Sequence, residues 1–316
     1  MSGERVSDRA RQVARDKHEV EVEDRTIRLS NLDRILYPET GFTKGDLIDY
    51  YEAVAPVLIP YLKGRPLSMR RYPGGVDGTG FWEKRCPEHR PDWIQTASIW
   101  SGSNDEEIDY CVVNDAASLV WAANLADIEL HTSLATAAER RTPTSVVFDL
   151  DPGPGTDVLD CAGIAVTIRD TLAQSGLETV VKTSGSKGMQ LYVPLNTKVD
   201  YDQTKGFAHS LARAFEELMP DQVVSRMKKS LRDGKIFIDW SQNVEHKTTV
   251  CVYSMRARSE PSVSTPLSWP EVEAALDAGD AGMLSFGPEE VLSRIEGDGD
   301  LFRPLLELRQ KLPVGD

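Results

Sequence analysis

Val146-Val147-Phe148-Asp149-Leu150-Asp151-Pro152-Gly153 is the stretch that decides the fold, because it has the pattern of a buried strand that ends in two carboxylates and a Pro-Gly break. Side chains two positions apart on a strand share a face, so Asp149 and Asp151 are expected to point the same way. Like charges this close are unfavourable unless a positive group lies between them. A hard divalent cation that holds phosphates is one interpretation of the pair. A cap on the following helix is the other, and the motif alone leaves both open.

A third aspartate, Asp239, ends another apolar strand, Ile236-Phe237-Ile238-Asp239-Trp240. If this strand lies beside the first, three carboxylates from strand ends could hold two metal ions. Taken alone, a solvated acid at a strand end is the simpler interpretation of Asp239. The two-metal site is therefore a hypothesis that depends on which strands are neighbours.

A glycine- and serine-rich turn, Thr183-Ser184-Gly185-Ser186-Lys187-Gly188, lies between two further predicted strands. Its hydroxyls, backbone N–H groups and single ammonium are donors of the kind that hold phosphate oxygens. The spacing GxxxxGK[ST] of a P-loop is absent, and a hairpin loop is the stronger interpretation of the turn by itself. The basic residues downstream that could neutralise a triphosphate are Arg232, Lys247, Arg256 and Arg258.

Hairpins and helices alternate around these motifs. Thr43, followed three residues later by Asp46, predicts the capped start of an amphipathic helix. Further predicted helices cover residues 115–125, 157–174 and 203–218. Predicted strands cover residues 67–72, 81–84, 93–99, 108–113, 145–150, 235–240 and 249–256, with a strand pair at 179–193. This mixture indicates an α+β or mixed α/β fold rather than a regular doubly wound sheet.

The net charge of −14 argues against a protein that coats nucleic acid by charge alone. The acid is unevenly spread, however, because residues 61–90 carry a local excess of +4 and residues 201–260 carry one of +2. On charge alone such modest excesses are typical of solvated faces. With 40% apolar residues in 316, the chain is long and apolar enough for a sizeable core.

The first 25 residues contain no apolar segment typical of a signal peptide, and no apolar run approaches the ~20 residues that span a bilayer. No membrane partner is therefore expected. The four cysteines fit no disulfide framework, which favours a reducing cytoplasm. They are Cys86, Cys111, Cys161 and Cys251.

Taken together, the motifs resemble those of the polymerase domain of bacterial ligase D, in the archaeo-eukaryotic primase superfamily. The resemblance runs from about Leu29 to about Arg258 and rests on separate motifs in the family's order. In its first half they are Leu32-Asp33-Arg34-Ile35-Leu36-Tyr37-Pro38, Thr43-Lys44-Gly45-Asp46, Arg70-Arg71-Tyr72-Pro73, Gly80-Phe81-Trp82-Glu83-Lys84 and Ile128-Glu129-Leu130-His131. In its second half they are Phe148-Asp149-Leu150-Asp151-Pro152-Gly153, Ser184-Gly185-Ser186-Lys187-Gly188, Asp239-Trp240-Ser241-Gln242-Asn243 and Tyr253-Ser254-Met255-Arg256.

The resemblance implies an α+β archaeo-eukaryotic primase fold, with an RRM-like catalytic core sheet flanked by helices and an N-terminal α/β subdomain. Four parts are expected: a flexible charged arm, an N-terminal α/β part with template and 5′-phosphate contacts, the RRM-like core, and a helical tail packed on that core. Their predicted boundaries are residues 1–17, 18–130, 131–260 and 261–316.

The function implied is that of a metal-dependent nucleotidyltransferase, a template-dependent polymerase that adds NTPs or dNTPs to a DNA primer at gaps or double-strand breaks. The residues implied to bind catalytic Mn²⁺ or Mg²⁺ are Asp149, Asp151 and Asp239. Those implied to hold or neighbour the triphosphate are His131, Ser184, Lys187, Arg232, Gln242 and Arg256. Those implied to contact DNA are Asn31, Arg34 and Lys44 at a downstream 5′-phosphate, Arg70 and Arg71 on the template, and Phe81 and Trp82 stacked on its bases.

Four residues depart from the family's pattern. Gln190 stands where the family often has His, Thr132-Ser133 replaces the usual Pro-Trp, and Arg34 stands where Lys is common. The implied partners are gapped or broken DNA with a 5′-phosphate and the end-binding and ligase proteins of bacterial end joining. A cytoplasmic, nucleoid-associated location and a stand-alone polymerase are expected with them.

Other functions are also considered. A primase or primase-polymerase of the same superfamily has the same motifs. A haloacid dehalogenase-type phosphohydrolase would use Asp149-Leu150-Asp151, Thr183-Ser184 and Asp298-Gly299-Asp300, although Gly153 stands where it expects Thr or Val and residues 1–130 would be unexplained. A DxD glycosyltransferase with Mn²⁺ and an inactive nucleic-acid-binding module are the remaining alternatives.

Overall fold

The computed structural model describes residues 19–102 and 105–313, so the predicted arm at 1–17 lies outside the described residues. The helices are α1 Lys44–Leu62, α2 Ala116–Asn124, α3 Val158–Gln174, α4 Tyr201–Leu218, α5 Trp269–Ala278, α6 Pro288–Asp298 and α7 Pro304–Glu307. The first nine strands are β1 Glu19–Val22, β2 Arg25–Arg28, β3 Ile35–Tyr37, β4 Phe42–Thr43, β5 Pro66–Arg71, β6 Phe81–Glu83, β7 Gln95–Ser101, β8 Glu106–Val112 and β9 Asp127–Thr132. The others are β10 Ser145–Pro152, β11 Val180–Thr183, β12 Met189–Pro194, β13 Val223–Val224, β14 Ile236–Asp239, β15 Thr249–Val250, β16 Met255–Arg256, β17 Ser262–Val263 and β18 Pro266–Leu267.

One six-stranded sheet is built around the strand quoted at the outset. Its strand order is β13-β14-β10-β12-β11-β18, so the central β10 lies between β12 and β14. Both neighbours run antiparallel to β10. Helices α3 and α4 pack on this sheet, and the fully buried Phe148 and Leu150 lie on the face opposite to Asp149 because strand side chains alternate. We call this sheet the first sheet.

The second sheet has the order β15-β9-β5-β8-β7, with β6 added to β5. Helix α1 starts at the predicted cap: Thr43 Oγ1 accepts a hydrogen bond from the Asp46 N–H, and the Asp46 carboxylate accepts one from the Thr43 N–H. Helices α1 and α2 pack together, and α2 contacts β9. Strand β15, which follows β14 in the chain, pairs with β9, so the chain crosses from the first sheet to the second.

Most predicted elements are found within a few residues of their predicted bounds. The predicted helices at 115–125, 157–174 and 203–218 correspond to α2, α3 and α4. The single strand predicted at 249–256 is wrong, because β15 and β16 pair with β9 and β17 respectively. The boundaries predicted for the four parts of the chain stay a prediction.

The cysteines also require a correction, because Cys86 and Cys111 form a disulfide. Their Cα atoms lie 4.8 Å apart, since the segment after β6 returns to β8 and the Cys86 N–H donates to the Asp109 carbonyl. The expectation that no cysteines pair is therefore wrong. Cys161 and Cys251 are free and buried. Within the described ranges no helix is long and apolar enough to cross a membrane.

Candidate active site and nucleic-acid interface

The three predicted aspartates lie on neighbouring strands of the first sheet. Asp149 on β10 is the register partner of Asp239 on β14, and Asp151 follows two residues along β10. On the other side of β10, Asp149 is the partner of Gln190 on β12. The neighbouring strands on which the two-metal hypothesis depended are therefore confirmed. We call Asp149, Asp151 and Asp239 the aspartate cluster.

Charge is poorly compensated within this cluster. Burial first, and then the charge of Asp151, raises the pKa of Asp149; burial and the charge of Asp239 raise the pKa of Asp151. Gln190 Nε2 donates to Asp149 Oδ1 at 3.1 Å. Gln242 Nε2 donates to Asp239 Oδ2 at 2.9 Å and lies 3.4 Å from Asp149 Oδ2. Two neutral amides thus hold these carboxylates.

Few cations lie near the aspartate cluster, and the charge of the buried Lys182 on β11 lowers the pKa of Asp149 less than burial and Asp151 raise it. Arg232, whose guanidinium stacks 3.6 Å from the Phe237 ring centre, lowers the pKa of Asp151, but less than burial raises it. Lys247 Nζ lies 3.9 Å from Asp239 Oδ2 and donates to Ser241. Among the described residues, no three His, Cys, Asp or Glu side chains stand ready as a ligand set for one metal ion. The cluster therefore has the oxygen donors that suit a hard cation, but those of Asp149 and Asp239 now accept hydrogen bonds from amides and a hydroxyl.

The turn at residues 183–188, which we call the glycine-serine loop, joins β11 to β12 beside the aspartate cluster. Ser184 Oγ accepts hydrogen bonds from the N–H groups of Ser186 and Gly188, both at 3.2 Å. Gly185 has a φ of +64°, and a Cβ there would lie 2.6 Å from the Val263 carbonyl carbon, so glycine is required. Lys187 is exposed. The loop is closed by hydrogen bonds of its own and presents the exposed Lys187 side chain to solvent.

The second sheet carries a different charged group, centred on Glu129 of β9. Glu129 Oε2 lies 3.0 Å from His131 Nε2 and 3.6 Å from Arg70 Nη1. Glu129 Oε1 lies 3.2 Å from Arg256 Nε, an ion-pair contact without hydrogen-bond alignment, and accepts the Ala257 N–H at 3.0 Å. We call Glu129, Arg70, His131 and Arg256 the Glu129 cluster.

The pKa values within the Glu129 cluster show how it is balanced. Burial alone would raise the pKa of Glu129, but the hydrogen bond with His131 and the charge of Arg256 lower it to about 2. Burial first, then Arg256 and Arg70, lower the pKa of His131 despite the opposing effect of Glu129. A neutral His131 donates its Nε2–H to Glu129 and leaves Nδ1 as an acceptor. Glu129 belongs to the motif Ile128-Glu129-Leu130-His131, in which the sequence assigns a role to His131 alone.

Two exposed aromatic side chains extend from the Glu129 cluster. Phe81 and Trp82 on β6 are 42% and 50% exposed, so they are not core residues. Arg70 lies 5.3 Å from the Trp82 ring centre, and the His131 ring meets Trp82 edge-on at 4.7 Å. Arg71 lies 5.3 Å from the Phe81 ring centre and pairs with Glu83 at 2.5 Å. The two aromatic rings therefore stand at the surface, each beside an arginine.

The predicted 5′-phosphate residues meet at the start of α1. The Arg34 N–H donates to the Asn31 carbonyl, and the Lys44 N–H donates to the Arg34 carbonyl. Lys44 Nζ donates to the Ser30 carbonyl at 2.6 Å. Burial, then the charges of Arg34 and Arg71, lower the pKa of Lys44 to about 8. Two cationic side chains thus lie together at a positive helix end.

A cavity of about 820 Å³ opens on the second sheet, where Ser68 of β5 is part of its lining. Its basic and aromatic lining includes Lys84, Trp100, Arg140, Arg141 and His246. Arg140 pairs with Glu245 at 2.6 Å. The sequence reasoning missed this group, although the adjacent arginines were a visible signal.

Comparison with known proteins gives a consistent result. Residues 43–302 match the family described as "LigD, primase-polymerase domain". The multifunctional non-homologous end joining DNA repair protein LigD of Mycobacterium tuberculosis is 39% identical over 93% of this chain and 38% of its own length. The bifunctional LigD of Bacillus subtilis is 31% identical over 86% of this chain and 43% of its own. The chain therefore spans about two fifths of these relatives.

A solved structure extends the match to the fold. The polymerase domain of Mycobacterium tuberculosis ligase D, in complex with DNA, superposes with a TM-score of 0.82 at 38% identity, over 90% of this chain and 99% of that one. The fold is the α+β archaeo-eukaryotic primase type, as expected. The chain belongs to the LigD primase-polymerase domain family. The phosphohydrolase and glycosyltransferase alternatives are thereby set aside.

The acidic pair required by the phosphohydrolase alternative has a structural contact in this fold. Asp300, part of the acidic pair that a haloacid dehalogenase-type enzyme would need, accepts hydrogen bonds from Tyr61 and Tyr253, both at 2.7 Å. These contacts fasten the segment before α7 to the core. A polymerase-family nucleotidyltransferase is the enzyme class that the family implies.

Proposed function

We propose that this chain is a metal-dependent, template-directed polymerase that adds NTPs or dNTPs to a DNA primer at gaps and double-strand breaks. The observation that carries the proposal is the aspartate cluster, three carboxylates on two adjacent strands with little neutralising charge. Substrate phosphates would bring more negative charge, so a cation must come with them. The neighbouring glycine-serine loop and Glu129 cluster supply donors for a triphosphate.

Asp149, Asp151 and Asp239 are the residues that would hold Mn²⁺ or Mg²⁺. Their oxygen donors fit a hard cation, which would neutralise phosphate charge and lower the pKa of a primer hydroxyl. The Gln190 and Gln242 amides would have to release lone pairs that they now occupy. Until then their hydrogen bonds hold the carboxylates of Asp149 and Asp239 in place.

The residues proposed for the triphosphate surround this centre. Arg256 donates to the Ser184 carbonyl, which fixes its guanidinium beside the glycine-serine loop. Lys187 is free to approach a phosphate oxygen from the solvent side. His131 and Ser184 would orient the nucleotide by hydrogen bonding, while Arg232 and Gln242 remain closest to the carboxylates. Phosphoryl transfer needs such positioning and charge neutralisation rather than covalent catalysis.

The DNA would lie across the second sheet and the start of α1. Phe81 and Trp82 offer exposed rings for sequence-tolerant stacking on template bases, with Arg70 and Arg71 beside them. Asn31, Arg34 and Lys44 would receive a downstream 5′-phosphate. The cavity lined by Lys84, Arg140 and Arg141 offers a DNA strand further space and positive charge. End-binding and ligase proteins of bacterial end joining are the proposed protein partners, and the nucleoid is the proposed location.

An incorporation assay tests the proposal. The substrates are gapped, blunt and overhanging duplexes with and without a 5′-phosphate, supplied with Mn²⁺ and each NTP or dNTP. We expect primer extension on the gapped, 5′-phosphorylated duplex and none from the variant Asp149→Ala/Asp151→Ala. Extension without any primer would favour the primase alternative. Phosphatase turnover with no incorporation would overturn the polymerase proposal.

A further inference from the structure

Glu129 is a buried carboxylate between the groups proposed for the nucleotide and those proposed for the template. Its side chain is 2% exposed, whereas those of Arg70, His131 and Arg256 are 37%, 11% and 15% exposed. Glu129 therefore cannot reach a substrate itself. Its partners stand between it and the solvent.

The contacts of Glu129 are divided between its two oxygens. Oε2 contacts His131 Nε2 and Arg70 Nη1, and the Arg70 guanidinium also lies against the exposed Trp82 ring. Oε1 receives Arg256 and the Ala257 N–H, so it also fixes the backbone just after Arg256. A guanidinium or imidazole is freely rotatable at a surface, and each loses that freedom when tied to a buried anion. One carboxylate thus sets the direction of three side chains.

Arg256 carries this organisation to the first sheet. While its Nε faces Glu129, its Nη1 donates to the carbonyl of Ser184 in the glycine-serine loop. The Tyr37 hydroxyl donates to the Arg256 carbonyl at 2.9 Å, which holds the backbone from the other side. These two contacts, from Glu129 to Arg256 and from Arg256 to Ser184, therefore join β9 of the second sheet to the loop beside the aspartate cluster.

We propose that Glu129 is a positioning residue for nucleotide binding, which aims Arg256 and His131 at the triphosphate and ties them to the template-side pair Arg70 and Trp82. This inference rests on the proposed polymerase function. It assigns to the carboxylate a role in the affinity for the nucleotide rather than in the chemical step. The ligand class is a nucleoside triphosphate with its divalent cation.

The direction of the effect distinguishes positioning from charge. Removing a carboxylate near an anionic ligand raises the local positive potential, so an effect of charge alone would lower KM for the nucleotide. Loss of positioning raises KM instead, because Arg256 and His131 must be ordered when the nucleotide binds. A purely structural role would change the melting temperature and leave KM unaltered.

The test compares Glu129→Gln with Glu271→Gln. Glu271 is a matched control because it is also an ion-paired, partly shielded glutamate, bound to Arg294 and capping α5 away from the proposed site. Single-nucleotide incorporation with Mn²⁺ on a gapped, 5′-phosphorylated duplex gives KM and kcat. We expect Glu129→Gln to raise KM by about tenfold, with kcat changed less than about threefold, as for residues that orient direct ligands. Glu271→Gln should leave both constants unchanged.

Equilibrium binding of a fluorescent ATP analogue with Mn²⁺ provides a readout that needs no catalysis. The dissociation constant should rise in Glu129→Gln by the same factor as KM. If Glu129→Gln does not fold, Glu129→Asp keeps the charge with a shorter reach and should give a smaller increase. Unchanged or tighter nucleotide binding in a folded variant would overturn the role of Glu129. Absence of incorporation by the wild type, with nucleotide binding still weakened by the substitution, would overturn the polymerase function and leave the inference standing.

Coupling to Arg256 is a second measure. In a cycle with Arg256→Ala, the two substitutions should be non-additive, because Glu129 acts on the nucleotide through Arg256. We expect Glu129→Gln to raise KM much less in the Arg256→Ala background than in the wild type. Full additivity would show that Glu129 does not act through Arg256.

Discussion

Asp149 and Glu129 are both shielded carboxylates within a sheet, yet their surroundings are opposite. Asp149 faces two other aspartates and two amides, and its pKa is raised. Glu129 faces two arginines and a histidine, and its pKa is lowered to about 2. The Glu129 cluster has thus neutralised its carboxylate within the chain, whereas the aspartate cluster has not.

The difference separates two kinds of functional group. Groups that bind an anion can be pre-arranged by an internal counter-charge, as Glu129 arranges Arg70 and Arg256. Groups that bind a cation must keep their negative charge uncompensated. In the absence of that cation, repulsion between these charges makes the native state less stable. Removing carboxylates should therefore raise the stability of the metal-free protein at the aspartate cluster and lower it at the Glu129 cluster.

The largest effect is expected from Asp149→Asn with Asp151→Asn. Incorporation should fall by roughly 10³-fold or more, because the charge that would hold the cation is removed. The melting temperature of the metal-free protein should nevertheless rise, since mutually repelling carboxylates are removed. Added Mn²⁺ should raise the melting temperature of the wild type by mass action but not that of the variant. Asp277→Asn, at an exposed acid on α5, is the control; a lower melting temperature in the double variant would contradict the comparison.

The opposite sign is expected for Glu129→Gln. A carboxyl whose pKa falls from 4.5 to about 2 on folding stabilises the native state above pH 4.5, and this contribution disappears as the pH falls through about 2. We expect Glu129→Gln to lose about 3 kcal/mol at pH 7, as when one partner of a buried ion pair is removed. The deficit should shrink between pH 4.5 and pH 2. Urea titrations at several pH values measure it.

The other charged or titratable groups that face Glu129 are present in both proteins of that comparison, so the difference isolates one carboxyl. They are Tyr37, Arg70, Tyr72, Asp127, His131 and Arg256. A stability difference that does not depend on pH would mean that packing, and not charge, connects Glu129 to the fold.

The sequence indicated the members of the aspartate cluster because Asp149 and Asp151 precede a Pro-Gly break and Asp239 ends another apolar strand, signals that are local. It did not predict the role of Glu129, since Arg70 and Arg256 reach it only through sheet pairing and a return of the chain. The Cys86–Cys111 disulfide was missed for the same reason. Local patterns determine which side chains can do chemistry, whereas partners distant in the chain determine which of them are already neutralised.

The fold shows the same division. Helix α1 was predicted from its capping box and strand β10 from its apolar run, and both are found. The strand predicted at residues 249–256 was wrong because two short segments pair with different neighbours, and no local pattern records that choice. Tertiary pairing overrode a β-type sequence there.

A smaller effect is expected at the exposed ring of Trp82. Trp82→Ala should weaken binding of single-stranded template by about 1–3 kcal/mol, the usual contribution of one stacked base. Stability should change little, because the ring is half exposed. Fluorescence anisotropy with a labelled template measures the loss, and Leu218→Ala, at an exposed apolar residue ending α4, is the control. Equal template affinity in both variants would show that the ring is not a stacking platform.

The smallest effect is expected from the protonation of Lys44, whose pKa is lowered to about 8 by burial, Arg34 and Arg71. Glu129 is paired with opposite charges, whereas among the described residues the Lys44 ammonium donates to the carbonyl and hydroxyl of Ser30 and to no carboxylate. A 5′-phosphate keeps its full charge above pH 7, so its attraction to Lys44 should weaken as the lysine loses its proton. The preference for 5′-phosphate over 5′-hydroxyl gapped DNA should fall about threefold to fivefold between pH 7 and pH 9, a change of about 1 kcal/mol. Lys44→Met should show a reduced preference that is the same at both pH values, whereas an equally steep pH dependence in that variant would assign the titration to another group.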